Sequence, residues 1–198
     1  KQKKKLGLIF DNCSSSYIGG MNMEKINPMD IEKRSFEIIS SELNGIVLDE
    51  EKAPIVKRVI HTTADFEYVD NMYFSEGVVE KALEALKRGA AIVTDTNMAK
   101  SGINKAAAAR LGCEVHCFMA DEDVAKSAKE QGVTRAAVCM EKAVELQKPV
   151  VIAVGNAPTA LIRLEELMKE GKIKPELIIG VPVGFVNVVE SKELIINS

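Results

Sequence analysis

The sequence predicts an α/β protein, a three-layer domain in which helices flank a mainly parallel sheet. Three observations carry that prediction. Val150-Val151-Ile152-Ala153-Val154 and Leu177-Ile178-Ile179-Gly180-Val181 are apolar runs of strand length, closed by Gly155-Asn156-Ala157-Pro158 and Pro182-Val183-Gly184-Phe185. Thr159 to Glu170, between them, places apolar residues at Leu161, Ile162, Leu164, Leu167 and Met168, a helical period. The same alternation of short apolar runs and helical stretches begins at Ala91, after a section that is helical throughout. A right-handed crossover lays the two strands parallel, with both turns at the carboxyl edge of one sheet, where α/β proteins bind ligands.

The elements follow in order. Asn27-Pro28-Met29-Asp30 is a helix start, with a cap residue, proline at the first position and an acid in the first turn. That helix runs through Ile31, Ser35, Ile38 and Ile39 to Leu43, and Gly45 supplies a left-handed stop. A second helix covers about Glu51 to Thr63, with Pro54 confined to its first turn. Ser75 is placed to cap an amphipathic helix through Val78, Val79, Ala82, Leu83 and Leu86, ending at Gly89. Ala91 to Thr94 reads as a strand and Asp95-Thr96-Asn97-Met98 as its exit loop. An alanine-rich helix, Asn104 to Leu111, precedes a buried strand, Glu114 to Met119. Helices at about Glu122 to Glu130 and Thr134 to Leu146 lead to the pair of strands above, and a last helix starts near Asn187. Lys1 to Gly20 reads as an N-terminal extension, and residues 21–198 as the domain.

With 198 residues, 46% hydrophobic and 28% charged, the chain can bury a full α/β core. Its formal charge of −3 gives no reason to expect nucleic acid as a partner, and no apolar run approaches the ~20 residues of a membrane span. The short apolar stretch before Phe10 does not make a signal peptide, so a cytoplasmic protein with reduced thiols is expected. The four cysteines, at 13, 113, 117 and 139, suggest no metal site: strand alternation sends His116 and Cys117 to opposite faces, and no second ligand pair follows.

Gly155-Asn156-Ala157-Pro158-Thr159 lacks both the glycine triplet of dinucleotide folds and the lysine of a P-loop, so a nucleotide-binding domain is disfavoured. Its amides could still hold a carboxylate at a helix start. His61 is the acid–base candidate, because a histidine exchanges a proton near neutral pH. Arg58 lies one turn before it and Asp65 one turn after, so Arg58 could hold an anion while Asp65 orients the imidazole. The same spacing also fits a surface helix with an incidental Arg–Asp pair. Ser35 interrupts an apolar stripe and could face a ligand or bond its own backbone. Arg135 follows the cap Thr134, and Asp95 and Asn97 leave the first strand on the ligand side; each could be structural instead.

Ile31-Glu32-Lys33-Arg34-Ser35-Phe36-Glu37-Ile38-Ile39, Arg58-Val59-Ile60-His61, Thr94-Asp95-Thr96-Asn97-Met98 and Gly132-Val133-Thr134-Arg135 occur in that order. They are followed by Val154-Gly155-Asn156-Ala157-Pro158-Thr159-Ala160-Leu161 and Gly180-Val181-Pro182-Val183-Gly184-Phe185-Val186 with Glu190-Ser191-Lys192. Together they resemble the precorrin-8X methylmutase family, also called cobalt-precorrin-8 methylmutase, over roughly Asn27 to Leu194. The resemblance implies an isomerase of cobalamin biosynthesis that moves a methyl group from C11 to C12 of a tetrapyrrole. The product would be hydrogenobyrinate or its cobalt form, and no cofactor is needed, because the migrating methyl belongs to the substrate. His61 matches the family's catalytic histidine, which protonates the ring system. Ser35 and Arg58 match substrate contacts, and Arg135 an arginine that meets the substrate's acid side chains. Asp95, Asn97, Gly155, Asn156 and Thr159 complete the expected substrate-binding set.

The resemblance also implies a homodimer and a further Gly-rich strand and helix after Glu193, so a C-terminal segment is expected to be missing at Ser198. Glu32 stands where some relatives have tyrosine and receives no role. A substrate with several carboxylates around an apolar ring calls for peripheral arginines, hydroxyls and amides around an apolar slot. The competing reading is a carrier that binds a corrinoid without turnover. His61 argues against it, since binding alone needs no titrating group there.

Overall fold

The computed structural model describes residues 26–198, so the expected extension, Lys1 to Gly20, lies outside the described residues. The chain divides into two compact units, one ending at Val69 and one running from Asp70 to Ser198.

In the first unit, Asn27 accepts the Met29 N–H at 3.1 Å and Pro28 opens the turn, as the sequence predicts. That turn, Pro28–Asp30, is a 3-10 helix, and the α-helix proper, α1, spans Ile31–Glu42. It stops where Asn44 and Gly45 take positive φ, 45° and 88°. Helix α2 spans Ala53–Thr63, carries proline in its first turn and ends on Ala64 in the left-handed region. The two helices pack together and bury Ile39 and Leu43 of one segment and Val56 and Ile60 of the other. A single helical turn, α3, Tyr68–Asn71, follows.

The second unit opens with α4, Val78–Lys87. Its start differs from the expectation: Gly77 in the left-handed conformation sits at the cap, and Ser75 contributes only its carbonyl, which accepts the Val78 N–H at 3.2 Å. Then come β1 (Ala91–Thr94), α5 (Asn97–Gly102), α6 (Lys105–Arg110) and β2 (Val115–His116). Next are α7 (Glu122–Gln131), α8 (Arg135–Val144) and β3 (Val150–Val154). The chain finishes with α9 (Pro158–Lys169), β4 (Leu177–Gly180) and α10 (Val188–Ile196). Two more expectations change. Asn97 begins a helix instead of lying in a loop, because Thr96 caps the Ala99 N–H at 3.1 Å. The strand expected at Glu114 to Met119 pairs only at Val115 and His116.

The sheet is parallel throughout, in the order β2-β1-β3-β4. Alternation assigns its residues to two faces. Val93, Val150, Ile152 and Val154 pack into the main core with Val124 of α7, Cys139 and Met140 of α8, and Leu161 and Leu164 of α9. Val151 packs with Ala85 of α4 on the other face, and Ile92 and Leu177 lie against that cluster. Helices thus cover both faces, the three layers expected. The close approach of β4 to α9 explains one glycine: a Cβ on Gly180 would stand 3.3 Å from Leu161 Cδ1. After β1 the chain moves outward to β2, then returns to the opposite side of β1 to form β3, so the winding reverses between β1 and β3. Doubly wound sheets bind their ligands at the carboxyl end of such a crevice.

Candidate active site

Helices α1 and α2 bring four polar side chains and one ring into a single wall. Glu32, Ser35 and Phe36 share a face of α1 by three- and four-residue spacing, and Arg58 and His61 share one of α2. Where the faces meet, Ser35 Oγ and His61 Nδ1 share a hydrogen bond of 2.7 Å. The Phe36 ring stands edge-on to the imidazole, with centroids 5.7 Å apart and planes at 87°. The Arg58 guanidinium lies 5.0 Å from the centroid of that same ring. Its Nη1 and Nη2 donate to Glu32 Oε2 and Oε1, each at 2.9 Å. The hydrogen bonds and charge of Arg58 hold the Glu32 carboxyl below the usual carboxylate range, and Glu32 in turn raises Arg58, so both stay ionised. An open groove along α1, lined in part by Pro28, Met29 and Ser40, includes Glu32 and Phe36.

Asp65 does not take the orienting position. Helix α2 ends at Thr63, the chain turns at Ala64, and the Asp65 carboxylate accepts the Glu67 N–H at 2.9 Å. The hydroxyl of Ser35 backs the imidazole instead. Within the described residues no other hydrogen bond involves His61, so Nε2 is the nitrogen left to exchange a proton.

In the second unit, Asp95 leaves β1 at the reversal point with 1% of its surface exposed. Its Oδ1 accepts the Gly155 N–H at 2.9 Å, and its Oδ2 accepts those of Asn156 and Ala157, each at 2.8 Å. Three amides of the kind that could hold a ligand's carboxylate therefore bond a carboxylate of the chain itself. Asp95 ties the end of β1 to the turn after β3 and so fixes where α9 begins. Gly155 is free of any demand from this packing: a Cβ there would meet nothing within 4 Å, and its φ is not positive.

The remaining expected contacts are distributed along the same edge. Thr134 Oγ1 and Thr159 Oγ1 are hydrogen-bonded at 2.8 Å, which joins the amino ends of α8 and α9. Arg135 and Asn97 are the exposed first residues of α8 and α5, and Asn156 is exposed in the turn between β3 and α9.

The described cysteines take part in packing. Cys113 Sγ donates to the Leu86 carbonyl at 3.2 Å, and Cys117 is buried. Burial, with smaller contributions from Cys117 and Asp121, pushes the Cys139 thiol up to about 12. His116 bonds Glu114 at 3.1 Å and stacks on Phe118. Among the described residues no group of three histidines, cysteines or acids is arranged to hold a metal ion, and no helix is long and apolar enough to cross a membrane.

Sequence reasoning missed Glu32 and Phe36 as partners of Arg58, and Ser35 as the partner of His61. The i, i+3 and i+4 spacings were visible in each helix, but which faces meet is a property of the packing.

Comparison with known proteins places this wall and this sheet edge in a family. The family model for precorrin-8X methylmutase matches residues 30–198. A cobalt-precorrin-8 methylmutase of Priestia megaterium is 42% identical over 168 residues, covering 85% of this chain and 75% of that protein. A precorrin-8X methylmutase of Sinorhizobium sp is 39% identical over 165 residues, covering 82% of this chain and 77% of that one. The solved structure of precorrin-8x methyl mutase from Thermus thermophilus superposes with a TM-score of 0.77 at 37% identity, covering 86% of this chain and 82% of its own.

Proposed function

This chain belongs to the precorrin-8X methylmutase family, and on that premise we propose that it is an isomerase of cobalamin biosynthesis that moves a methyl group from C11 to C12 of precorrin-8X or its cobalt form. Relatives named for either substrate stand at 31–42% identity, which supports the shared macrocycle as the substrate class.

The observation that carries the mechanism is the 2.7 Å bond between Ser35 and His61. In the charged ring Nδ1–H donates to Ser35 Oγ, which leaves Nε2–H as the proton to give. Once Nε2 has given it, the neutral ring keeps its remaining proton on Nδ1, still donated to Ser35. His61 can therefore give a proton through Nε2 and take it back there without losing its partner. Protonating the conjugated macrocycle makes it a better acceptor for the migrating methyl, and return of the proton regenerates the ring. The methyl stays within the substrate, so the protein supplies one proton and a fixed ring conformation. Phe36 offers an apolar wall beside the imidazole, and Arg58 a guanidinium for a peripheral carboxylate. Arg135, Asn97, Asn156 and Thr159 serve the periphery as hydrogen-bond donors. Asp95 serves indirectly by holding the turn that presents Gly155 and Asn156.

The protein is further proposed to act as a homodimer. The exposed apolar run at Val181, Val183, Phe185 and Val186 supports this.

The deciding experiment follows the absorbance of precorrin-8X with wild-type protein and with His61→Ala. Wild type should convert the substrate to the product spectrum, whereas His61→Ala should bind it with a static spectral change and lose at least about a hundredfold in rate. Binding without conversion by wild type would overturn the isomerase reading. Wild-type turnover by the variant would remove His61 from the mechanism.

A further inference from the structure

Arg58 already holds a carboxylate. Both terminal nitrogens of its guanidinium donate to the two oxygens of Glu32 at 2.9 Å, the fork geometry in which arginine binds carboxylates best. The pair is not a structural necessity: the two side chains are 52% and 57% exposed, so water can solvate either one alone. Nor does Arg58 depend on Glu32 for its position, because its guanidinium also rests 5.0 Å from the centre of the Phe36 ring. What Glu32 does is occupy the Nη1–Nη2 end of the guanidinium, an end at which an incoming carboxylate would meet two donors.

We propose that Glu32 is a specificity-determining residue, an internal carboxylate seated on the Arg58 fork that gives way only to a ligand carboxylate able to replace it. The inference rests on Arg58 being a substrate contact. Exchanging one carboxylate for another conserves charge and bond count, so a free acid side chain of a tetrapyrrole can take the seat. An amidated side chain offers a single neutral acceptor and cannot displace an ionised Glu32. The shifts of Glu32 and Arg58 toward their charged forms agree with a seat that stays occupied until ligand arrives. Binding at this point therefore discriminates against amidated macrocycles by competition within the protein.

The test uses propionate and propionamide as probes and reads the Arg58 Nε–H resonance by NMR in wild type, Glu32→Gln and Glu32→Ala. Removing the internal carboxylate should tighten propionate binding by about two- to fivefold, the worth of one exposed ion pair. Propionamide should become detectable in the variants. In the double variant Glu32→Gln/Arg58→Gln, with binding followed by perturbation of backbone amides in α1 and α2, the gain should vanish. With precorrin-8X, Glu32→Gln should lower KM by a similar factor, with the gain in KM and not in kcat. Unchanged or weaker propionate binding in both single variants would overturn the proposal and make Glu32 a support for Arg58. If wild type fails to convert precorrin-8X, the proposed function falls, while the propionate titration still decides the role of Glu32.

Discussion

At His61 the Nδ1 atom meets a hydroxyl at 2.7 Å where the sequence had suggested a carboxylate, and the difference matters for proton transfer. A carboxylate can only accept, so it would hold the ring in its charged form and oppose release of the proton. Ser35 carries no charge and can bond either form. The resemblance implies that Ser35 touches substrate; the structure shows that it touches His61. The two roles separate in kinetics. Ser35→Ala should lower kcat about three- to tenfold, the worth of one hydrogen bond expressed only when the ring is correctly oriented, with KM changed by less than about twofold. Initial rates across a substrate series decide it, and a rise in KM at constant kcat would leave Ser35 a binding residue only.

The elements of the sheet explain why one buried acid has such reach. The winding reverses between β1 and β3, and their carboxyl ends would leave a polar crevice with unpaired amides at the start of α9. Asp95 fills that crevice and satisfies three N–H groups with two oxygens. Asp95→Asn keeps the shape but turns an NH2 group toward amide donors and removes the charge from the hydrogen bonds. The expected loss is about 2–4 kcal/mol, read as a lower urea midpoint at unchanged slope. A midpoint within experimental error of wild type would mean that the turn holds itself. The helix starts show how local chemistry acts at this scale. Asn27, Thr96, Asn104 and Thr134 each cap a backbone N–H as their residue types favour, whereas Ser75 lies two residues too early and yields to Gly77.

Across the whole molecule, apolar surface is distributed unevenly. The buried strands β1 and β3 are covered on both faces, but the chain leaving the edge strand β4 exposes Val181, Val183, Val186 and a fully exposed Phe185. Large side chains gathered in this way on a surface mark a contact with another molecule. Sedimentation equilibrium should give twice the mass of the chain, and Phe185→Asp should shift the population toward monomer without changing the circular dichroism spectrum. A wild-type protein that sediments at 21.6 kDa would refute the dimer. The family match spans residues 30–198 and so includes the helical section as well as the sheet.

The sequence by itself determined the α/β class, the strands at Ala91–Thr94 and Val150–Val154, most helix starts, and the motifs that identify the family. These depend on periodicity, capping and turn chemistry, which act between residues close in the chain. It also singled out His61, Arg58 and Ser35. Only the tertiary structure decided that Ser35 and not Asp65 backs His61, that Glu32 sits on Arg58, and that Asp95 bonds the turn at Gly155. Each of these is a contact between residues 26 or 60 positions apart. Such contacts depend on which helix faces meet and where the sheet reverses its winding, and no local pattern encodes either one.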